Sequence, residues 1–115
     1  MKKEKEIVEA AAHKVEQGNK LLVIIVNRGF ADNVVEVARG AGAKGATILH
    51  GRGSAGVGEQ FMGMSITPEK EIVLIVISDE FASAASKAIT ENFGRESDAN
   101  GICFTAPISH LTRQK

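Results

Sequence analysis

The sequence predicts an α+β fold: a ferredoxin-like split β-α-β (βαββαβ) sandwich with an extra N-terminal helix. Three observations lead there. Two apolar runs rich in β-branched residues, 21–26 and 72–77, are each followed by a segment of helical spacing and then a shorter strand-like segment. The stretch joining the two halves, 52–69, shows no helical spacing, so the strands flanking it pair as an antiparallel hairpin. A doubly wound parallel sheet would need a helix there. Finally, 115 residues that are 43% apolar amount to one core.

The elements follow in order. Residues 3–17 read as a helix, with Ile7, Ala11 and Val15 on one face and Gly18 as its stop. This sets residues 1–19 apart as an extra helix from a domain proper over 20–115. Leu21–Val26 reads as a strand buried on both faces. From Asp32, a plausible N-cap, to Ala41 the spacing of Val34, Val37, Ala38 and Ala41 is helical, and Gly42 supplies a stop. A second strand follows at 45–51. The third, 72–77, leads to Asp79, a candidate N-cap for a helix with Phe81, Ala85, Ala88, Ile89 and Phe93 on one face. A polar link over 94–100 leads to a last strand near 102–105, which Pro107 ends or confines to an edge. Such a sheet carries helices on one face only, so its other face needs cover, and assembly with further copies supplies it.

Composition excludes several classes. Fourteen Lys+Arg balance fourteen Asp+Glu, which argues against general affinity for nucleic acid or anionic membrane. Five Phe without Trp or Tyr leave little for base-stacking platforms. The lone Cys103 forms no internal disulfide, suits a reducing cytoplasm and, between Ile102 and Phe104, reads as a buried structural thiol. The apolar runs are too short to span a bilayer and no secretory segment opens the chain. A cytoplasmic protein is expected.

The stretch 52–69 exceeds the length at which structureless loops become uncommon in compact domains. Its apolar residues, Phe61, Met62, Met64 and Ile66, sit in its second half. They suit docking on a partner protein, or else they fold back on their own sheet. Gly51-Arg52-Gly53-Ser54-Ala55-Gly56 matches G-x-G-x-x-G, but no helix opens after it and no P-loop lysine follows, so a dinucleotide fingerprint is not supported. What remains is a glycine-rich turn whose amides can cradle an anion beside Arg52, or a merely flexible link. His13, His50 and His110 are scattered without metal-ligand spacing, although His50 and His110 can approach the glycine loop. No nucleophile–base pairing stands out, and an enzyme is disfavoured.

The strand–helix–strand arrangement from Leu22 to Arg52, with Gly42-Ala43-Lys44-Gly45-Ala46-Thr47 entering the second strand, resembles the nitrogen-regulatory PII signal-transducer family. So do Glu69-Lys70-Glu71 before the third strand, Ser78-Asp79-Glu80 at the following helix and Gly101-Ile102-Cys103-Phe104 in the last strand. The resemblance covers roughly residues 21–115. It implies a homotrimer that binds adenine nucleotides (ATP, ADP or AMP) in clefts between subunits and regulates a target enzyme, transporter or regulator through the long loop, in nitrogen metabolism or transport.

By that resemblance Gly45 and Thr47 match the family's contacts to base and ribose, and Gly53 its first loop glycine near the phosphates. Lys70 falls on a basic position before strand three, Gly101 on the last glycine of a second phosphate-contacting loop, and Arg113 and Lys115 on two C-terminal arginines. Arg95, in that second loop, is expected to substitute as a phosphate partner, beside the Arg52 already placed at the glycine-rich turn. Ser54, Gly56, Gly58, Gln60, Phe61, Met62 and Met64 form the partner-docking loop. There are departures. The lysine after the second-loop glycine is Ile102, and the family's Arg-Gln pair is Gly56-Val57. These move the expectation from Mg-ATP with 2-oxoglutarate toward a lower phosphate or another anion. No tyrosine is present, so uridylylation of a loop tyrosine cannot occur. Two rivals stand beside this reading: a structural or metal-responsive trimer resembling the divalent-cation-tolerance proteins, which share the fold, and a small enzyme that holds a phosphorylated substrate at the glycine loop.

Overall fold

The computed structural model describes residues 15–16, 18–53, 59–61, 64–66 and 69–112. Its centre is a four-stranded antiparallel sheet of β2 (Asn19–Asn27), β3 (Thr47–Arg52), β6 (Glu69–Ser78) and β7 (Ile102–Pro107), in the order β3-β6-β2-β7. Helix α1 (Ala31–Gly40) connects β2 to β3, and α2 (Asp79–Phe93) connects β6 to β7. Each β-α-β unit is therefore split by a strand of the other, which is the predicted α+β, ferredoxin-like order. The hairpin expected between the second and third strands is the β3·β6 pair, with Thr47 opposite Leu74 and Arg52 opposite Glu69.

Both helices lie on one face of the sheet. Beneath them Leu22, Ile24 and Val26 of β2 and Val73, Ile75 and Ile77 of β6 are buried, packed against the small residues Ala31, Ala38, Ala82 and Ala85. The expectation that the first strand is buried on both faces is corrected here. Leu21, Val23 and Ile25 alternate with the buried set and are only half-buried, because no helix covers their side.

The uncovered face is apolar across its width. Register places Phe104, Val23, Leu74 and Thr47 in one cross-strand row and Ile102, Ile25, Ile72 and Leu49 in the next. Leu49, Ile102 and Phe104 are 46%, 50% and 49% exposed. The row after that is polar: Asn27, Lys70 and Gly51.

Several local expectations shift. Val15 and Glu16, expected to end the first helix, form β1 (Val15–Glu16), paired antiparallel with β8 (Leu111–Thr112). The rest of that helix lies outside the described residues. Gly18, at φ +73°, thus turns the chain between two strands instead of stopping a helix. Asp32 and Asp79 sit in first turns, not at N-caps; the caps are Phe30 and Ser78, neither with a side-chain bond. Gly42 ends α1 as expected, at φ +115°, where an added Cβ would meet the Phe81 ring at 2.6 Å. Phe81 itself is 41% exposed, over that glycine, and the buried face of α2 is Ala82, Ala85 and Ile89. Pro107 is the last residue of an edge strand, which needs no donor from it. The long loop is not structureless: β4 (Glu59–Phe61) pairs antiparallel with β5 (Met64–Ile66). Three-residue strands are too short to register as a period.

Candidate ligand-binding site

The polar row marks one end of the sheet, where three chain segments converge. β2 ends at Asn27 and turns through Arg28 and Gly29, whose φ of +99° favours glycine, into α1. β3 ends at Gly51-Arg52, and β6 begins at Glu69-Lys70-Glu71. Between them lies a cleft of about 520 Å³ lined by Arg28, His50, Gly51, Arg52, Glu69 and Lys70.

The charges of this cleft are unevenly satisfied. Arg28 Nη1 donates to Glu69 Oε2 at 2.6 Å, and the Arg28 N–H to the Glu69 carbonyl at 3.2 Å, so this cation is neutralised. Glu71 serves the fold. Its Oε1 accepts the N–H groups of Gly29 at 2.7 Å and Ala31 at 3.1 Å, at the N-terminus of α1, while His50 Nδ1 lies 3.9 Å from its Oε2. Burial pushes the Glu71 carboxyl up. The N–H groups of Ala31 and Gly29, the His50 imidazole and the Phe30 N–H together outweigh it and hold the pKa below the ordinary glutamate range. Lys70 Nζ donates to the neutral Asn27 Oδ1 at 2.6 Å. Arg52 is exposed and, among the described residues, its guanidinium has no partner. Two cations without a carboxylate partner among the described residues, at the root of a long loop, can receive an anionic ligand.

The structure gathers only some of the expected site residues. Arg52 and Lys70 share the cleft, and Gly53 directly follows Arg52. Thr47 stands at the other end of β3, roughly 17 Å from Arg52 at strand rise. It lies on the sheet's open face, and Gly45 precedes it in an exposed link with open space around it. Gly101 is buried beside Val26, at the same end of the sheet as the cleft. An ideal Cβ on Gly101 would overlap the carbonyl oxygen of Phe93, so close approach of backbone already requires glycine there. Arg95 is exposed in the link after α2. In the loop, Gln60 and Phe61 lie in β4 and Met64 in β5, with Phe61 opposite Met64. Ser54, Gly56, Gly58, Met62, Arg113, Lys115 and His13 lie outside the described residues. His50 lines the cleft, whereas His110 is exposed between β7 and β8 and does not.

Arg28, Glu69 and Glu71 were not among the site residues expected from the sequence. The signal was present in Glu71, the acid directly before the apolar run of β6, and in the Arg28-Gly29 turn that follows β2. Cys103 is only half-buried. Burial pushes its thiol up and the Ser86 hydroxyl, 3.6 Å from Sγ, lowers it by less. A second cleft of about 530 Å³ beside α2 carries Lys20 and Asp79, paired at 3.7 Å, with the hydroxyls of Ser83, Ser86 and Thr105. Among the described residues no three His, Cys, Asp or Glu side chains gather as a metal site, and no helix is long and apolar enough to cross a membrane.

The family model described as nitrogen regulatory protein P-II matches residues 19–115. No curated protein matches the chain. Among solved structures the chain is similar to CPII, a nitrogen regulatory PII-like protein from Thiomonas intermedia K12 bound to ADP, AMP and bicarbonate. That match has 21% identity and a TM-score of 0.62 over 89% of this chain and all (100%) of that one. Arabidopsis thaliana PII bound to citrate matches at 19% identity and TM-score 0.61, over 82% of this chain and 80% of that one. The order of the strands, the helices on one face of the sheet and a family match from residue 19 to 115 agree: the chain belongs to the nitrogen regulatory protein P-II family.

Proposed function

We propose that this chain is a PII-type signalling subunit, not an enzyme, that binds an adenine nucleotide where the cleft meets a neighbouring copy. The observation that carries this is the pair of cations, Arg52 and Lys70, that have no carboxylate partner among the described residues at the root of the 52–69 loop. Phosphate oxygens are suited to both: Arg52 offers a planar fork and Lys70 a point charge. The ADP and AMP held by CPII carry such phosphates, and the citrate held by Arabidopsis PII is likewise a multiply charged anion. The apolar open face, with Leu49, Ile102 and Phe104 about half exposed, supports burial against further copies in a homotrimer. Thr47, the first residue of the edge strand, and Gly45 in the link before it then belong to the inter-subunit part of the site. Ligand binding shifts the docking of residues 52–69 on a cytoplasmic target of nitrogen metabolism or transport, provided the ligand prefers one loop arrangement.

Calorimetry of the full chain with ATP, ADP, AMP and cyclic dinucleotides tests this. At least one adenine nucleotide is expected to bind, and Arg52→Ala to weaken it about tenfold through loss of a charge-assisted bond. Absence of binding by all of them up to millimolar concentration rejects the nucleotide reading.

A further inference from the structure

One side chain links the cleft to the turn that precedes β7. Asn27, the last residue of β2, accepts from Lys70 Nζ at Oδ1 (2.6 Å) and donates from Nδ2 to the Asp98 carbonyl (3.0 Å). Its backbone N–H donates to the Ala99 carbonyl at 2.8 Å. The orientation of the carboxamide is dictated by its partners, since a flipped amide would set NH₂ against the ammonium and an oxygen against a carbonyl. The 94–101 turn holds itself by short local bonds: Ser97 N–H to Gly94 O, Asn100 N–H to Ser97 O and Gly101 N–H to Phe93 O. Asn100 sits there at φ +45°. Among the described residues, Asn27 makes the hydrogen bonds that hang this turn on β2.

We propose that Asn27 is a positioning residue that couples Lys70 to the 94–101 turn, so that the partner Lys70 takes sets how firmly the turn is held. The physical cause is the shared amide. An ammonium on Oδ1 polarises the carboxamide and strengthens the bond its Nδ2 donates, and it also locks the amide's rotation. When an anion draws Lys70 away, Oδ1 is left to water and the hold on Asp98 weakens. The turn carries Arg95 and ends at Gly101, so the coupling joins a cation of the cleft to a turn at the same end of the sheet. The consequence for ligand binding rests on the nucleotide reading above; the coupling itself is a property of the ligand-free chain.

Amide hydrogen exchange of the full, ligand-free chain tests it, read at the N–H groups of Ser97, Asn100 and Gly101. Lys70→Met, which touches no atom of the turn, is expected to speed exchange there roughly three- to tenfold, the weight of one hydrogen bond. Asn27→Asp keeps an acceptor for Lys70 but loses the donor to Asp98, and is expected to speed exchange by a similar factor. Adding Lys70→Met to Asn27→Asp then changes nothing more, a non-additivity that a merely structural role for each residue would not produce. Wild-type exchange in Lys70→Met, or full additivity of the two, overturns the coupling. ADP titrated into Asn27→Asp binds roughly three- to tenfold more weakly, because the introduced carboxylate holds Lys70 as an ion pair and lets the turn go. Failure of the wild-type chain to bind ATP, ADP, AMP or a cyclic dinucleotide removes the nucleotide reading and leaves the exchange result to decide the coupling. ADP binding with unchanged exchange in Lys70→Met removes the coupling and leaves the site.

Discussion

Replacing Gly101 by alanine separates a glycine needed by the fold from one needed by a ligand. Gly101 is buried, and its N–H donates to the Phe93 carbonyl at 2.7 Å, closing the chain from the end of α2 onto the start of β7. An added Cβ overlaps that same carbonyl oxygen and stands 3.0 Å from Val26 Cγ1. Phe93 O is backbone at the end of a fifteen-residue helix and cannot swing aside as a side chain would. Relief requires the turn to move, which gives up a hydrogen bond worth about 1 kcal/mol. Repacking against Val26 adds about 1–3 kcal/mol of overpacking. The expected loss is about 2–4 kcal/mol, a large part of the stability of a domain this size. Urea unfolding followed by circular dichroism, without nucleotide and at fixed chain concentration, measures it. Gly45→Ala is the control, because its added Cβ meets nothing within 4 Å and should cost no more than about 0.5 kcal/mol. If Gly101→Ala proves as stable as Gly45→Ala, the steric reasoning is wrong and a ligand role alone must account for the glycine.

Two other outcomes follow from the same structure. Because Glu71 titrates below its ordinary value in the folded chain, it contributes stability above that ordinary value, lost progressively as pH falls toward the lowered one. Glu71→Gln removes the charge that the Gly29 and Ala31 N–H groups address; it should lower stability at neutral pH by about 1–3 kcal/mol and flatten the acid slope, as urea midpoints across a pH series will read. On the open face, Phe104→Lys places a charge on the exposed apolar surface, at the edge-strand end of its row. Light scattering should read a mass about three times the 12.2 kDa chain for the wild type and a shift toward the single chain for the variant. A wild-type mass of one chain would sink the trimer.

Much of this protein was legible in its sequence. Leu21–Val26 and Ile72–Ile77 can satisfy their backbone and side chains only as strands, and Ala38, Ala82 and Ala85 are small enough to bring two helices onto them. With no helical spacing between 52 and 69, the strands on either side of that stretch were expected as an antiparallel hairpin, which splits the two β-α-β units. Element type and order follow from local periodicity, and periodicity is a property of the chain alone. What lay beyond it depended on which segments meet. The two apolar strands are half-buried on one side because both helices chose the other, a matter of layer packing that no single segment encodes. Val15 and Glu16 became a strand because Leu111 and Thr112, nearly a whole chain away, offered them partners. Of the residues expected to hold a ligand, register brought Arg52 and Lys70 together and set Thr47 at the far end of the same strand. Glu71, Asn27 and Arg28 acquire their roles only through atoms distant in sequence: Glu71 takes the open N–H groups of a helix start, Asn27 spans Lys70 and Asp98, and Arg28 meets Glu69. A hydrogen bond or ion pair between remote residues leaves no period in a sequence, so the site was decided by the tertiary structure while the fold was already written in the chain.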